Sequence, residues 1–320
     1  MDKFLITGGA GFIGSHLAQR LLCRGKRVAV VDNLDDFYAA ELKRANLEEV
    51  RACAEFQFFP IDLRDSAKLL EAFAAFKPDA VIHLAARPGV RPSFAQPEEY
   101  ASINVLGTAG VLEASRLSGV GRFVFASSSS VYGGSGRAPF REDASISRPL
   151  SVYAATKVAG EALAFTFSHA YGLSTVCLRL FTVYGPRQRP DLAIRKFARL
   201  ILEGQEVPIF GDGSLERDYT YIDDAVDGIL RAADATGRFD VYNIGNSHPV
   251  RIESMVDILA QSLGKPVKRR YMPIPPGEMT LTHADLTKSR RDLGYSPHVS
   301  FEDGIRRFAD WMKSLAGLPR

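Results

Sequence analysis

Tyr153 and Lys157 stand four residues apart in Tyr153-Ala154-Ala155-Thr156-Lys157, a spacing that puts a phenol and an ammonium on one helix face. Their Cβ atoms would lie about 5–6 Å apart there. Such a pair suits a phenol acting as a base. A free tyrosine has a pKa of about 10, so bringing it near 7 takes roughly three units, or about 4 kcal/mol of stabilisation of the phenolate. An adjacent cation supplies part of that. Upstream, the hydroxyl run Ser127-Ser128-Ser129-Ser130 closes a strand-like stretch, and one of these hydroxyls could bridge the phenol to a substrate oxygen. Neither motif means much alone, because Tyr and Lys four apart recur by chance and serine runs often form polar turns.

The N-terminal segment offers a place for a redox cofactor beside this base. Thr7-Gly8-Gly9-Ala10-Gly11-Phe12-Ile13-Gly14 follows a strand-like run and opens a helix. Glycines there allow a tight turn and let the backbone approach a pyrophosphate seated on the free N–H groups of the helix start. Gly8, Gly11, Phe12, Ile13 and Gly14 therefore read as a dinucleotide site, in the strand–turn–helix setting that makes the pattern credible. The second strand ends at Val31-Asp32-Asn33. The Asp32 carboxylate can accept both ribose hydroxyls and repels a 2′-phosphate, which favours NAD over NADP. A positive nicotinamide ring would then join Lys157 in lowering the phenol pKa. Asp62-Leu63, after the third strand, could bind the adenine amino group or cap a helix.

Positioning these groups takes alternating strands and helices. Strand-like runs are Phe4–Thr7, Val28–Val31, Phe56–Phe59, Ala80–Leu84, Phe123–Ala126 and Thr175–Leu180; amphipathic segments are Ile13–Arg24, Ser66–Phe76, Pro97–Ser118 and Val152–Tyr171. Continuous apolar strands separated by helices predict an α/β fold, a Rossmann-type doubly wound parallel sheet buried on both faces. After Leu180 prolines punctuate shorter elements, and Gly211-Asp212-Gly213 marks a turn. The expected division is a NAD-binding domain over 1–180 with segments of about 219–246 returning to it, and a smaller mixed α/β substrate lobe over 181–218 and 247–320. Phe301–Leu315 reads as a closing amphipathic helix.

Composition sets the outer limits. The 320 residues are 46% hydrophobic and 24% charged, ordinary globular proportions, with a net charge of only +3. Lys and Arg are scattered without an aromatic-basic stripe, which argues against a nucleic-acid partner. No apolar stretch approaches the ~20 residues of a membrane span. Cys23, Cys53 and Cys177 lack any paired spacing, so reduced thiols in a cytoplasmic protein are expected, without a disulfide framework or zinc site. His83 at a strand end reads as a packed structural residue, and no metal site is expected.

Taken together, the sequence resembles an extended short-chain dehydrogenase/reductase of the nucleotide-sugar epimerase/dehydratase group. The resemblance runs the length of the chain through Gly8–Gly14, Asp32, Asp62-Leu63, His83-Leu84-Ala85-Ala86, Asn104 with Gly107-Thr108, Tyr153/Lys157, Arg217-Asp218-Tyr219 and Asp223-Asp224. It implies NAD contacts that include Asn33, Leu84, Ala85, Ala86 and Asn104, a UDP-sugar in the C-terminal lobe, and a homodimer joined through helices Tyr100–Ser118 and Tyr153–Tyr171. It makes Ser128 the catalytic hydroxyl and Ser129 and Ser130 neighbours of the substrate.

The same resemblance narrows the reaction. Family members open with Tyr153 taking the proton of the sugar 4-hydroxyl as C4 gives up hydride, which leaves a 4-keto sugar. Dehydratases resemble Thr-Asp-Glu-Val-Tyr-Gly at the serine segment and decarboxylases Ser-Glu-Val-Tyr-Gly; here Ser128-Ser129-Ser130-Val131-Tyr132-Gly133 carries no carboxylate. Epimerisation is the expected outcome. Ala85–Ser93, with Arg91, and Leu180–Pro186 are similar to UDP-glucuronate 4-epimerases. A 4-keto uronic acid loses CO₂ when its carboxylate aligns with the carbonyl, so an epimerase must clamp that carboxylate, and a charge-assisted pair is the natural clamp. The family pattern puts Thr182 and Arg189 there. Arg187 lies close by, where the family more often has Trp-Gly in place of Arg187-Gln188, which leaves two arginines as candidates. Arg217 fits a diphosphate arginine and Val207–Phe210 an edge for uracil. Pro275-Pro276-Gly277-Glu278 stands where galactose-type enzymes have Arg-Pro-Gly-Asp, so a second phosphate arginine is missing there and Lys196 or Arg195 could compensate. The alternatives are a 4-epimerase of neutral UDP-hexoses or N-acetylhexosamines, a UDP-glucuronate decarboxylase, and a catalytically silent NAD-binding protein.

Overall fold

The computed structural model describes residues 1–134, 137–275 and 278–317. Six strands, β1 (Lys3–Thr7), β2 (Arg27–Val31), β3 (Gln57–Phe59), β4 (Ala80–His83), β5 (Arg122–Ser128) and β6 (Thr175–Leu180), join the later strand Phe239–Ile244 in one sheet. Every pairing in it is parallel, and the order runs Phe239–Ile244, β6, β5, β4, β1, β2, β3. The strands are apolar throughout because both faces are covered. Side chains alternate: Leu5, Ala29, Val81 and Phe123 join the core on one face, and Ile6, Val30, Ile82 and Val124 the core on the other. This is the doubly wound sheet that the sequence predicts.

Helices α1 (Phe12–Cys23), α2 (Ala40–Arg51), α3 (Ser66–Phe76), α4 (Val90–Ala95), α5 (Pro97–Ala101), α6 (Gly107–Leu117) and α7 (Val152–Tyr171) cover it. α3 and α7 keep the predicted bounds. The helix expected over 97–118 is α5, a wider π-helical turn at Ser102–Leu106 that carries Asn104, and then α6. α2 escaped the sequence reading because its face toward the fold is half polar, burying Lys43 and Asn46 beside Leu47 and Val50.

The remaining strands are Thr182–Tyr184 (β7), Glu206–Phe210 (β8), Glu216–Tyr221 (β9), the sheet-edge strand Phe239–Ile244 (β10), Pro249–Arg251 (β11) and Lys268–Met272 (β12). β9 lies between β7 and β11 in a three-stranded sheet, and β8 pairs with β12. Of the segment read as returning near Tyr219–Asn243, β10 joins the large sheet while Tyr219–Tyr221 ends β9 in the small one. Strand order reverses beside β1, with β2 and β3 on one side and β4, β5, β6 and β10 on the other. Ligands of open α/β sheets bind outside the carboxyl ends of the strands at such a switch point. No helix among the described residues is long and apolar enough to cross a membrane.

Candidate active site

A cleft of about 750 Å³ opens at that switch point between the large sheet and the smaller lobe. Its walls include the expected glycine-turn, Asp32, Asp62-Leu63, Leu84–Ala86, serine and Tyr153/Lys157 residues with Arg91, Thr182, Arg189 and Arg217, while Asn104 and the candidates Arg187, Arg195, Val207 and Ile209 do not line it. One end is the glycine turn. Gly8 has φ +72°, and a Cβ there would come within 2.8 Å of the Ala85 amide nitrogen. A Cβ on Gly14 would come within 2.3 Å of the Gly8 carbonyl oxygen. Only glycine lets α1 begin this close to the strand end, with its N-terminus facing the cleft. Leu84, Ala85 and Ala86 line the cleft immediately beside the turn, and Phe12 and Ile13 border the turn itself.

The Asp32 carboxylate accepts from the amide nitrogens of Leu34 at 2.9 Å and Ala10 at 3.1 Å, which ties the glycine loop to the end of β2. Burial pushes its carboxyl up, with those bonds opposing. The side chain of Asn33 donates to Asp62 at 3.1 Å. Asp62 is not the cap of α3; Asp65 is, accepting from the Lys68 amide at 3.1 Å. Arg64 grips Asp62 through Nε at 2.8 Å and Nη2 at 2.6 Å, which lowers the carboxyl to about 2. The turn, Asp32 and the Asp62-Leu63 wall form a cradle that fits NAD.

The base sits further in. The Ser151 hydroxyl caps α7, accepting from the Ala154 amide at 3.1 Å, and so starts the helix one residue before Tyr153. Gly160 lets α7 lie against β5, since a Cβ there would come within 2.3 Å of Phe125 Cζ. Lys157 is buried and donates to the Ala126 carbonyl at 2.7 Å. Burial lowers its ammonium to about 8, against an opposing pull from Glu161. Its Nζ lies 5.9 Å from the centre of the Tyr153 ring.

Burial raises the Tyr153 pKa above its ordinary value, and Ser128, by hydrogen bonding, and Arg189, by charge, pull it back. Lys157 gives one N–H to the Ala126 carbonyl and keeps its charge beside the Tyr153 ring.

The serine run divides its labour. Ser127, which also borders the cleft, donates to Glu161 at 2.5 Å, where Glu161 pairs with buried Arg179 at 2.9 Å. Ser128 bonds Ser130 Oγ at 3.1 Å, and Ser128, Ser129 and Ser130 all line the cleft. Asn104 stands behind the wall: it accepts from the Arg87 amide at 2.7 Å and donates to Thr156 Oγ1 at 3.0 Å. Its place is to hold the loop and the helix bearing Tyr153 together. His83 is buried between Thr7 Oγ1 at 2.6 Å and Thr108 Oγ1 at 2.9 Å, and burial lowers it to about 3, as befits a packed neutral imidazole. No group of His, Cys, Asp and Glu among the described residues is arranged to hold a metal ion.

The two arginines near the sugar end part ways. Arg187 has φ +63° and turns toward α1, donating to His16 at 3.1 Å and Gln19 at 2.8 Å. Arg189 lines the cleft with Thr182, its Nε and Nη2 each 3.0 Å from a carboxylate oxygen of Asp191. Arg217 and Arg91 line the outer part with Phe210 and Tyr219, and both pair with Glu278. Lys196 reaches the cleft; Arg195 instead lies over the Trp311 ring at 5.1 Å. Pro276 and Gly277 lie outside the described residues. Sequence reasoning passed over Phe37, Tyr38 and Lys43, which line the cleft from the segment after β2. Only their nearness to Asp32 could have flagged them.

Comparison with known proteins agrees with this geometry. Residues 5–308 match the family described as GDP-mannose 4,6 dehydratase. A UDP-glucuronate 4-epimerase of Thermodesulfobacterium geofontis is 41% identical over 314 residues, spanning 98% of this chain and 97% of the relative. The crystal structure of UDP-glucuronic acid 4-epimerase from Bacillus cereus, in complex with UDP-glucuronic acid and NAD, has a TM-score of 0.92 at 37% identity, covering 98% of this chain and 99% of that one. The UDP-glucose 4-epimerase of Thermotoga maritima with UDP-glucose gives 0.90 at 33% identity, covering 98% and 99%. The chain therefore belongs to the family that the GDP-mannose 4,6-dehydratase description names, the NAD-dependent nucleotide-sugar epimerases and dehydratases among the extended short-chain dehydrogenases/reductases.

Proposed function

We propose that this enzyme is a NAD-dependent UDP-sugar 4-epimerase that interconverts UDP-glucuronate and UDP-galacturonate. The observation that carries the reading is Arg189, lining the same cleft as Thr182 and Tyr153. A guanidinium there has no partner in a neutral hydroxymethyl sugar and a strong one in a carboxylate.

NAD, held by the glycine turn, Asp32 and Lys157, supplies the acceptor and later the donor of the C4 hydride. Tyr153 takes the proton of the 4-hydroxyl, and Ser128 carries the hydrogen bond between that oxygen and the phenol. Arg189 and Thr182 hold the carboxylate away from alignment with the C4 carbonyl, which suppresses loss of CO₂. No acidic side chain stands in the 128–133 segment to drive elimination. The keto sugar turns over, so that the hydride held by the reduced cofactor would return to the opposite face of C4 while Tyr153 gives its proton back to O4. In the same proposal the nucleotide lies along the smaller lobe of 181–218 and 247–320, and the sheet domain of 1–180 with the returning segment of about 219–246 holds NAD.

NMR of the products tests it: protein with NAD converts UDP-glucuronate to an equilibrium mixture with UDP-galacturonate and accumulates no NADH. Turnover of UDP-glucose alone would assign a neutral substrate, and UDP-xylose as main product a decarboxylase.

Two further parts belong to the proposal. The exposed side chains Leu106, Leu117, Phe165 and Tyr171 lie on the helices expected to join two copies, so we assign them to a homodimer face. A cytoplasmic location fits a NAD-linked sugar enzyme with three free cysteines, and cell fractionation would check it.

A further inference from the structure

The outer cleft holds an ion-pair arrangement that the chemistry at C4 does not use. Arg91, on α4, and Arg217, on β9 of the smaller lobe, converge on one carboxylate. Glu278 Oε2 accepts from Arg91 Nη2 at 2.9 Å, and Oε1 accepts from Arg217 Nη2. Arg91 also stacks its guanidinium 4.4 Å from the centre of the Phe210 ring. Arg217 spends Nη1 on the Glu216 carbonyl at 2.8 Å. The Arg217 side chain is 13% exposed and that of Glu278 22%, so their pair is only partly screened by water, whereas Arg91 is half exposed and its pair with Glu278 is screened more. Burial alone would push the Glu278 carboxyl up, and the two arginines more than offset it.

Two cations from opposite walls closing on one anion make a diphosphate site whose anion is already present. We propose that Glu278 is an internal stand-in for the diphosphate of the nucleotide sugar. It keeps Arg91 and Arg217 gathered until the ligand arrives, and the incoming diphosphate takes both guanidinium groups from it. The inference rests on the nucleotide-sugar reading above. Arg91 then supplies, from the sheet domain, the second diphosphate cation that Pro275 does not. Glu278 acts as a competitor at this subsite: an anion with a single weak charge cannot displace it, whereas a diphosphate anchored by its nucleoside can.

Calorimetric titration of the NAD-loaded enzyme with UDP and with uridine tests this. Removing the competing charge in Glu278→Gln tightens UDP about three- to tenfold, the loss of two partly screened ion pairs. Uridine, which has no phosphate, binds both forms alike. Glu278→Ala moves UDP in the same direction, and adding Arg91→Gln to Glu278→Gln erases the gain. UDP binding that weakens or stays unchanged in Glu278→Gln overturns the stand-in role. A uridine shift equal to that of UDP overturns it too, by assigning the carboxylate to the nucleoside. Failure of the wild type to bind UDP at all overturns the nucleotide-sugar reading itself.

Discussion

Asp191 grips Arg189 through two parallel bonds of 3.0 Å each, which fixes the guanidinium and leaves its Nη1 edge for a ligand. In the proposed mechanism a preset clamp of this kind sets both substrate choice and product. In Arg189→Gln, kcat/KM for UDP-glucuronate falls about 10- to 100-fold, since a hydrogen bond to a charged group is worth about 1.5–3 kcal/mol. UDP-xylose also appears among the products, because the keto acid is free to align and lose CO₂. Unchanged turnover without any pentose product would remove Arg189 from the site. At this scale the sequence was legible where chemistry depends on spacing: Tyr153, Lys157, Asp32 and the glycines stand where their patterns put them. It was not legible where neighbours compete. Arg187 and Arg189 look equivalent as letters, and the left-handed backbone at Arg187, φ +63°, sends its side chain to α1. The bond from Lys157 to the Ala126 carbonyl at 2.7 Å, which anchors α7 to β5, is likewise invisible in the letters.

The elements meet at glycine. At Gly14, alanine would gain about 1 kcal/mol of helix propensity and lose more, since its Cβ would lie 2.3 Å from the Gly8 carbonyl oxygen, an atom of the backbone. Gly14→Ala therefore costs about 1–3 kcal/mol by overpacking and forces the start of α1 away from the turn. We expect a lower melting temperature together with weakened NAD binding by calorimetry; a variant that is stabilised and binds NAD normally would mean that α1 has room to spare. Boundaries of α3, α7 and β6 were legible because apolar periodicity and caps coincide there. The wide turn at Ser102–Leu106 was not, since nothing in Ser102-Ile103-Asn104-Val105-Leu106 distinguishes it from an ordinary helical turn. α2 was missed because it buries Lys43 and Asn46, whose polar heads reach Asp35 and the Ala10 carbonyl.

The molecule combines the buried seven-stranded sheet with two small sheets, and its exposed apolar side chains include Leu106, 60% exposed, and Phe165, 52% exposed, on the two long helical segments. A monomer gains nothing from that exposure, so the proposed homodimer buries it. Leu106→Glu combined with Phe165→Glu is expected to shift sedimentation from dimer toward monomer; a wild type that sediments as a monomer at micromolar concentration would sink the assignment. The parallel sheet was legible from strand–helix alternation alone. The small three-stranded sheet was not, because β7 and β11 are three residues each and pair with β9 across long sequence separation.

The central claim is that C4 is oxidised and re-reduced within one active site, with Tyr153 moving the proton. The most direct measurement follows the label of UDP-glucuronate carrying deuterium at C4. The wild type should yield UDP-galacturonate with the deuterium still at C4 and none in water or at C5, and Tyr153→Phe, folded and NAD-loaded, should yield no product. Deuterium lost to solvent during epimerisation, or full turnover by Tyr153→Phe, would contradict it.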